Sequence, residues 1–173
     1  PITCTGPPRT GARTRRRASC PSLASMEVRG YELGIGADLA GADLTDADLS
    51  GAELTALTIG PYGTSTIDFT EANLAHANLS GSKLKAEAEG GNAVIDFTKA
   101  TLAHADLSGS DFYAYSETYG AAVDFTEANL ANADLSGSWI TAESREGDTT
   151  IDFAKANLTN ADLSGSRLTA ASG

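Results

Sequence analysis

The stretch ADLAGADLTDADLSGAEL, residues 37–54, decides how this chain folds. Its large apolar residues are Leu39, Leu44, Leu49 and Leu54, one every five positions, each preceded by an acid and, one place further back, by alanine. A period of five suits neither regular element. On a 3.6-residue helix five steps turn about 140°, so the leucines would scatter around the axis. On a strand the faces alternate every two residues, and odd spacing would send successive leucines to opposite sides. All four meet one environment only if the chain turns a corner once per pentad.

A longer period lies above the short one. Phe69, Phe97, Phe125 and Phe153 are 28 residues apart, and so are Leu79, Leu107, Leu135 and Leu163. Each unit of 28 holds four pentads plus eight residues inserted at the same point, and the first insertion is longer, since Leu54 to Phe69 spans 15. Four pentads make a four-sided coil, with every insertion leaving from one corner. The expectation is a four-sided solenoid of about five coils, centred on residues 39–54, 69–84, 97–112, 125–140 and 153–168. At about 4.8 Å per coil the rod would be roughly 20–25 Å long. Its core would be Leu39, Leu44, Leu49, Leu54, Phe69, Leu74, Leu79, Leu84, Phe97, Leu102, Leu107 and Phe112, continued by Phe125, Leu130, Leu135, Ile140, Phe153, Leu158, Leu163 and Leu168.

These pentads resemble those of the pentapeptide-repeat proteins, whose consensus is Ala, then Asp or Asn, then Leu, then two variable residues. The resemblance covers about residues 37–168. It implies an all-β, right-handed quadrilateral parallel β-helix with the Leu or Phe, and the small residue two before it, pointing inward. Some members of that family resemble duplex DNA in charge and shape and occupy the DNA site of type II topoisomerases such as gyrase. Members of that kind usually dimerise through a C-terminal element, and none is expected from residues 153–173. The last coil, with Phe153, Leu158, Leu163 and Leu168, is therefore expected to be covered by a second molecule or to belong to a longer chain. Stacking end to end into a purely structural unit is a third possibility.

Residues 1–25 are a different material, with no acid and five arginines (Arg9, Arg13, Arg15, Arg16 and Arg17). Three readings stand: an upstream leader with Met26 as the start, an organelle transit segment, or a genuine basic arm. Residues 26–36, MEVRGYELGIG, put Leu33 out of register with the pentads and suggest an N-terminal cap before the solenoid of 37–173. Cys4 and Cys20 both lie in the leader and have no partners at metal spacing, so neither zinc nor a disulfide framework is expected. A cysteine-free rod suits a bacterial cytoplasm, with organelle import if residues 1–25 are a transit segment. No apolar run has the length of a membrane span, and no membrane association is expected.

Charge narrows the functional classes. Removing the five leader arginines from twelve basic residues leaves seven against 23 acids, a net of −16 for residues 26–173. Such a rod is not expected to bind nucleic acid directly. A 24 Å length of DNA duplex carries roughly 14 charges, so the density matches a DNA mimic. Net charge also serves solubility alone. By column, the first side carries Asp38, Asp68, Asp96, Asp124 and Asp152, and the third Asp48, Asn78, Asp106, Asp134 and Asp162. These acids either bond to nearby turn backbone, as Asx residues do, or face a cationic partner. Glu71, Lys99, Glu127 and Lys155 alternate in sign down one corner and should pair across coils. A Ser-Gly pair returns at the third corner of all five coils, which calls for positive φ or close stacking.

Chemistry is sparse. His76 and His104 should stack on adjacent coils, but no third ligand is fixed by the pattern, so no metal and no cofactor are expected. Nothing resembles a nucleophile with its base or a phosphate-binding loop, and the chain reads as non-enzymatic. Individuality lies in the insertions, TALTIGPYGTST (55–66), KAEAEGGNAV (85–94), YAYSETYGAA (113–122) and TAESREGDTT (141–150). A short hairpin or extended excursion fits each, and together they would make a ridge or side sheet. Tyr113, Tyr115, Tyr119 and Trp139 on that ridge either pack between neighbouring loops or contact a protein. The expected function is an acidic scaffold that binds another protein through this ridge or the Asp68, Asp96, Asp124 and Asp152 column.

Overall fold

A computed structural model describes Met26–Val28, Tyr31–Leu33 and residues 38–173; the leader of 1–25, with its cysteines, lies outside the described residues. Two short strands, β1 (Met26–Val28) and β2 (Tyr31–Leu33), pair antiparallel with Met26 opposite Leu33. Everything from Asp38 onward is a parallel stack of coils. The described residues hold no helix, and so none long and apolar enough to cross a membrane.

Three corners of each coil are made the same way. The carbonyl of the central Leu or Phe accepts the N–H three residues on, as Leu39 does from Ala42 at 3.0 Å and Phe69 from Ala72 at 2.9 Å. The residue two after the central one takes a positive φ, from 54° at Asp46 to 68° at Gly165. This is type II turn geometry, which needs a left-handed residue at its third position. Between corners the chain makes one bridge to the coil on either side, Asp38 to Asp68 and Asn73 to Thr101 for example. Leu39 donates to the Asp68 carbonyl at 2.7 Å, and the repeats of this bond knit the layers together.

At the fourth corner the chain runs on. Strands β3 (Glu53–Thr58), β5 (Lys83–Ala88), β7 (Asp111–Ser116), β9 (Trp139–Ser144) and β11 (Arg167–Ser172) leave the third corner and form a five-stranded parallel sheet. The returning strands β4 (Ser65–Asp68), β6 (Ala93–Asp96), β8 (Ala121–Asp124) and β10 (Thr149–Asp152) form a four-stranded one. The insertions take the extended form rather than the hairpin. No ladder joins β5 to β6; each pairs in register with its equivalents, Ala86 with Ala114 and Ile95 with Val123. The result is a lobe whose inner lining, Ala86, Ala88, Ala93 and Ile95 in one layer, is buried.

Identical register places like on like through the core. Phe69, Phe97, Phe125 and Phe153 stack face to face with centroids 4.8, 4.9 and 4.8 Å apart, and Phe112 meets Phe97 and Phe125 edge-on. The reading of about five coils becomes five layers making about four turns, because turns count the rises between layers. Sixteen of the twenty expected core residues, from Leu39 to Ile140, are buried. The last four depart from the expectation: Phe153 and Leu163 are partly buried, while Leu158 and Leu168 are 37% and 46% exposed. Their layer has a neighbour on one side only.

Candidate protein-binding faces

The aspartate column of the first side is first of all a set of turn locks. The Oδ1 of Asp38, Asp68, Asp96, Asp124 and Asp152 accepts the backbone N–H two residues on, at 3.2, 2.8, 2.8, 2.7 and 2.7 Å. The third side repeats the device with Ser50, Ser80, Ser108, Ser136 and Ser164 as donors. The backbone N–H and hydroxyl of Ser164 hold the Asp162 carboxyl below its usual range. One oxygen of each carboxylate is thereby fixed, so the column faces solvent in a set geometry rather than as mobile charges.

The corner of alternating sign pairs as expected. Lys99 reaches Glu71 at 3.9 Å and Lys155 reaches Glu127 at 2.8 Å. The hydrogen bond from Lys155, and then its charge, lowers the Glu127 carboxyl, and Glu127 raises Lys155 in return. On the next corner His76 and His104 stack with centroids 4.9 Å apart, in line with their spacing. No group of three or more His, Cys, Asp or Glu among the described residues is arranged to hold a metal ion.

The ridge aromatics divide. On the outer face of the five-stranded sheet Tyr113 lies 6.3 Å from Tyr115, near parallel, and donates from its hydroxyl to Glu143 at 3.2 Å. Lys85 sits 5.9 Å from the Tyr113 ring and pairs with Glu87 at 2.9 Å. Burial first, and then the Glu143 charge, pushes the Tyr113 phenol up to about 12. These two tyrosines are partly buried and engaged within the ridge. Trp139 is 54% exposed, with the Arg167 guanidinium 5.3 Å from its ring. Tyr119 is 48% exposed and faces the other way, over the four-stranded sheet.

Two features escaped the sequence reading. The first tip exposes Leu57, Ile59 and Tyr62, the last at 88%; the apolar run in TALTIGPY was the available signal. The second is an open groove of about 500 Å³ on the four-stranded sheet, with Val94, Ala122 and Thr150 along its floor and Tyr119, Asn92 and Asp148 at its rim. Strand alternation turns Asp96, Asp124 and Asp152 out of the same face, two residues beyond each floor residue.

Stacked coils cornered by positive-φ turns define a four-sided β-solenoid. The pentapeptide-repeat family model matches residues 35–56, 66–85 and 151–172, in eight copies. The resemblance to pentapeptide-repeat proteins is thus shown in sequence over those three segments. No curated protein sequence matches the chain. Among solved structures it is similar to a pentapeptide-repeat protein of the Arabidopsis thaliana thylakoid lumen, at 23% identity, covering 76% of this chain and 68% of that one, with a TM-score of 0.29. It is also similar to QnrB1, a plasmid-mediated fluoroquinolone resistance protein, at 17% identity over 79% and 91% of the two chains, TM-score 0.18. A third is HetL, involved in heterocyst differentiation regulation in the cyanobacterium Nostoc, at 15% identity over 79% and 85%, TM-score 0.16. Superpositions this loose carry nothing about function.

Proposed function

We propose that the protein is a non-enzymatic, acidic β-helical scaffold that binds another protein. The observation that carries this reading is the fixed surface. Asp68, Asp96, Asp124 and Asp152 are held by their own turns on a core whose rings repeat at 4.8–4.9 Å, with Tyr119 exposed on the same sheet and Trp139 exposed on the five-stranded one. A rigid array loses little conformational freedom on binding, which leaves more of the contact energy for affinity. A photo-crosslinking residue at Asp124 or Trp139, in cells that make the protein, should trap one partner. The same residue at Lys99, on the self-paired corner, should not. Equal trapping at all three positions, or none, would sink the reading.

The spacing of that column and the net charge of −16 for residues 26–173 favour a second reading, a mimic of duplex DNA acting on a type II topoisomerase or another DNA-binding protein. A gyrase supercoiling assay separates the two. A DNA mimic loses inhibition steeply with salt, and loses it when Asp68, Asp96 and Asp124 become Asn. The exposure of Leu158 and Leu168 favours a further possibility, a second copy covering the last layer, which mass in solution tests.

A further inference from the structure

The groove on the four-stranded sheet has a chemistry of its own. Its floor is a column of short side chains, Val94, Ala122 and Thr150, on the outer face of β6, β8 and β10. Beyond one edge stand Asp96, Asp124 and Asp152; at the other rim are Tyr119 and Asp148. Acids therefore flank an apolar strip on both sides, and no basic residue lines the groove. The two nearest cations of the first corner, Lys99 and Lys155, are engaged with Glu71 and Glu127. The volume of about 500 Å³ suits a few side chains of a peptide rather than a folded domain.

Geometry sets the spacing. From Ala122 to Asp124 along the strand is about 6.6 Å, two residues at 3.3 Å each. An extended peptide lying along the strand turns its own i and i+2 side chains to the same face at that distance. We propose that this groove docks an extended, basic segment of a partner protein, with an apolar side chain on the Ala122 column and an Arg or Lys two residues away on the Asp124 column. The ring of Tyr119 closes the apolar end. This rests on the reading of the rod as a protein-binding scaffold and names the segment that it takes.

The test uses the full chain and a fluorescein-labelled peptide of Leu-Ser-Arg repeats, followed by anisotropy. A peptide with glycine in place of each leucine should bind about tenfold more weakly. Ala122→Lys places a long cation on the floor and should weaken the leucine peptide at least tenfold. Asp106→Asn, the same change of charge on the third side, should leave it within about twofold. Asn78 occupies the equivalent place in that column, so the fold accepts the change. If Ala122→Lys lowers the melting temperature, Tyr119→Ala serves instead. Equal binding of the two peptides, or an Ala122→Lys protein that binds like the parent, means attraction by net charge alone and overturns the proposal. No binding of either peptide overturns it as well. The scaffold reading would survive that result if the crosslinker at Trp139 still traps a partner.

Discussion

The Oδ1 of Asp124 accepts the backbone N–H of Thr126 at 2.7 Å, and the same bond recurs wherever an Asp or Asn precedes the central residue of one of the three sides that end in a turn. The acid is thus chosen for its side-chain oxygen and its short reach before it is chosen for its charge. Asp124→Asn keeps that oxygen and should leave the urea midpoint nearly unchanged. Asp124→Ala leaves the Thr126 N–H without its acceptor and should cost about 1 kcal/mol. Equal losses in the two variants would mean that charge, not the turn, keeps the column acidic.

Glycine serves two different needs in this rod. At Gly81, φ is +62° and a Cβ would meet nothing within 4 Å, so Gly81→Ala should cost only the left-handed penalty of about 1–2 kcal/mol. At Gly147 a Cβ would lie 2.3 Å from the Tyr119 backbone, so Gly147→Ala must push neighbouring stacked tips away from each other and should cost more. Conversely, His104 holds φ +59° with a side chain on it, and His104→Gly should stabilise by about 0.5–1 kcal/mol. Thermal melts of the three variants give the order directly.

Layers differ in what they have to lose. Phe97 is fully buried between two parallel rings and against Phe112, and Phe97→Ala should cost about 3–5 kcal/mol. Leu158, 37% exposed on the last layer, should cost about 1 kcal/mol when cut to Ala. Hydrogen exchange should find the amides of residues 152–172 opening before those of the middle layers, since stability in a stack is local. Uniform protection along the rod would contradict this.

Tyr113 gives a pH signature. Burial and Glu143 disfavour its phenolate, raising it from 10.0 to about 12 in the folded chain. A group raised on folding contributes stability that is complete below its unfolded value and is lost as pH climbs through the folded one. Stability should therefore fall between about pH 10 and 12, and less so in Tyr113→Phe. Near-ultraviolet absorbance should show one tyrosine ionising late, moving back toward 10 in Glu143→Gln.

Much of this was legible in the chain because the pentad is read by its own turn. Leu39, Leu44 and Leu49 repeat every five residues since each side ends in a corner that needs the same hydrogen bond. The Ser-Gly corners pointed to positive φ or close stacking, and the structure assigns positive φ to them and close stacking to the tips at Gly90, Gly91 and Gly147. The insertions were harder. Whether TAESREGDTT folds back on itself or pairs with the next layer is decided by partners 28 residues away, as Ala142 finds Ala114. Ser116 and Ser144 pin each tip from inside by bonding the Gly91 and Tyr119 carbonyls, and a serine in a polar insertion gives no hint of that role. The groove went unseen because its floor residues, Val94, Ala122 and Thr150, share no residue type, only a register.

That register has a consequence for how such a chain can change. Residues 97–124 begin after Asp96 and end on Asp124, so a second copy spliced in behind the first would meet Phe97 through the same Asp-Phe junction that already exists. The new core side chains would land on the Phe and Leu columns above and below, and the rod would lengthen by about 4.8 Å, while the copied Lys99 would meet Lys99 on a corner where Glu and Lys now alternate. Growth by tandem duplication is thus open to this architecture in whole layers. An insertion of any other length inside a side would shear the Phe97 and Leu102 columns against everything stacked on them.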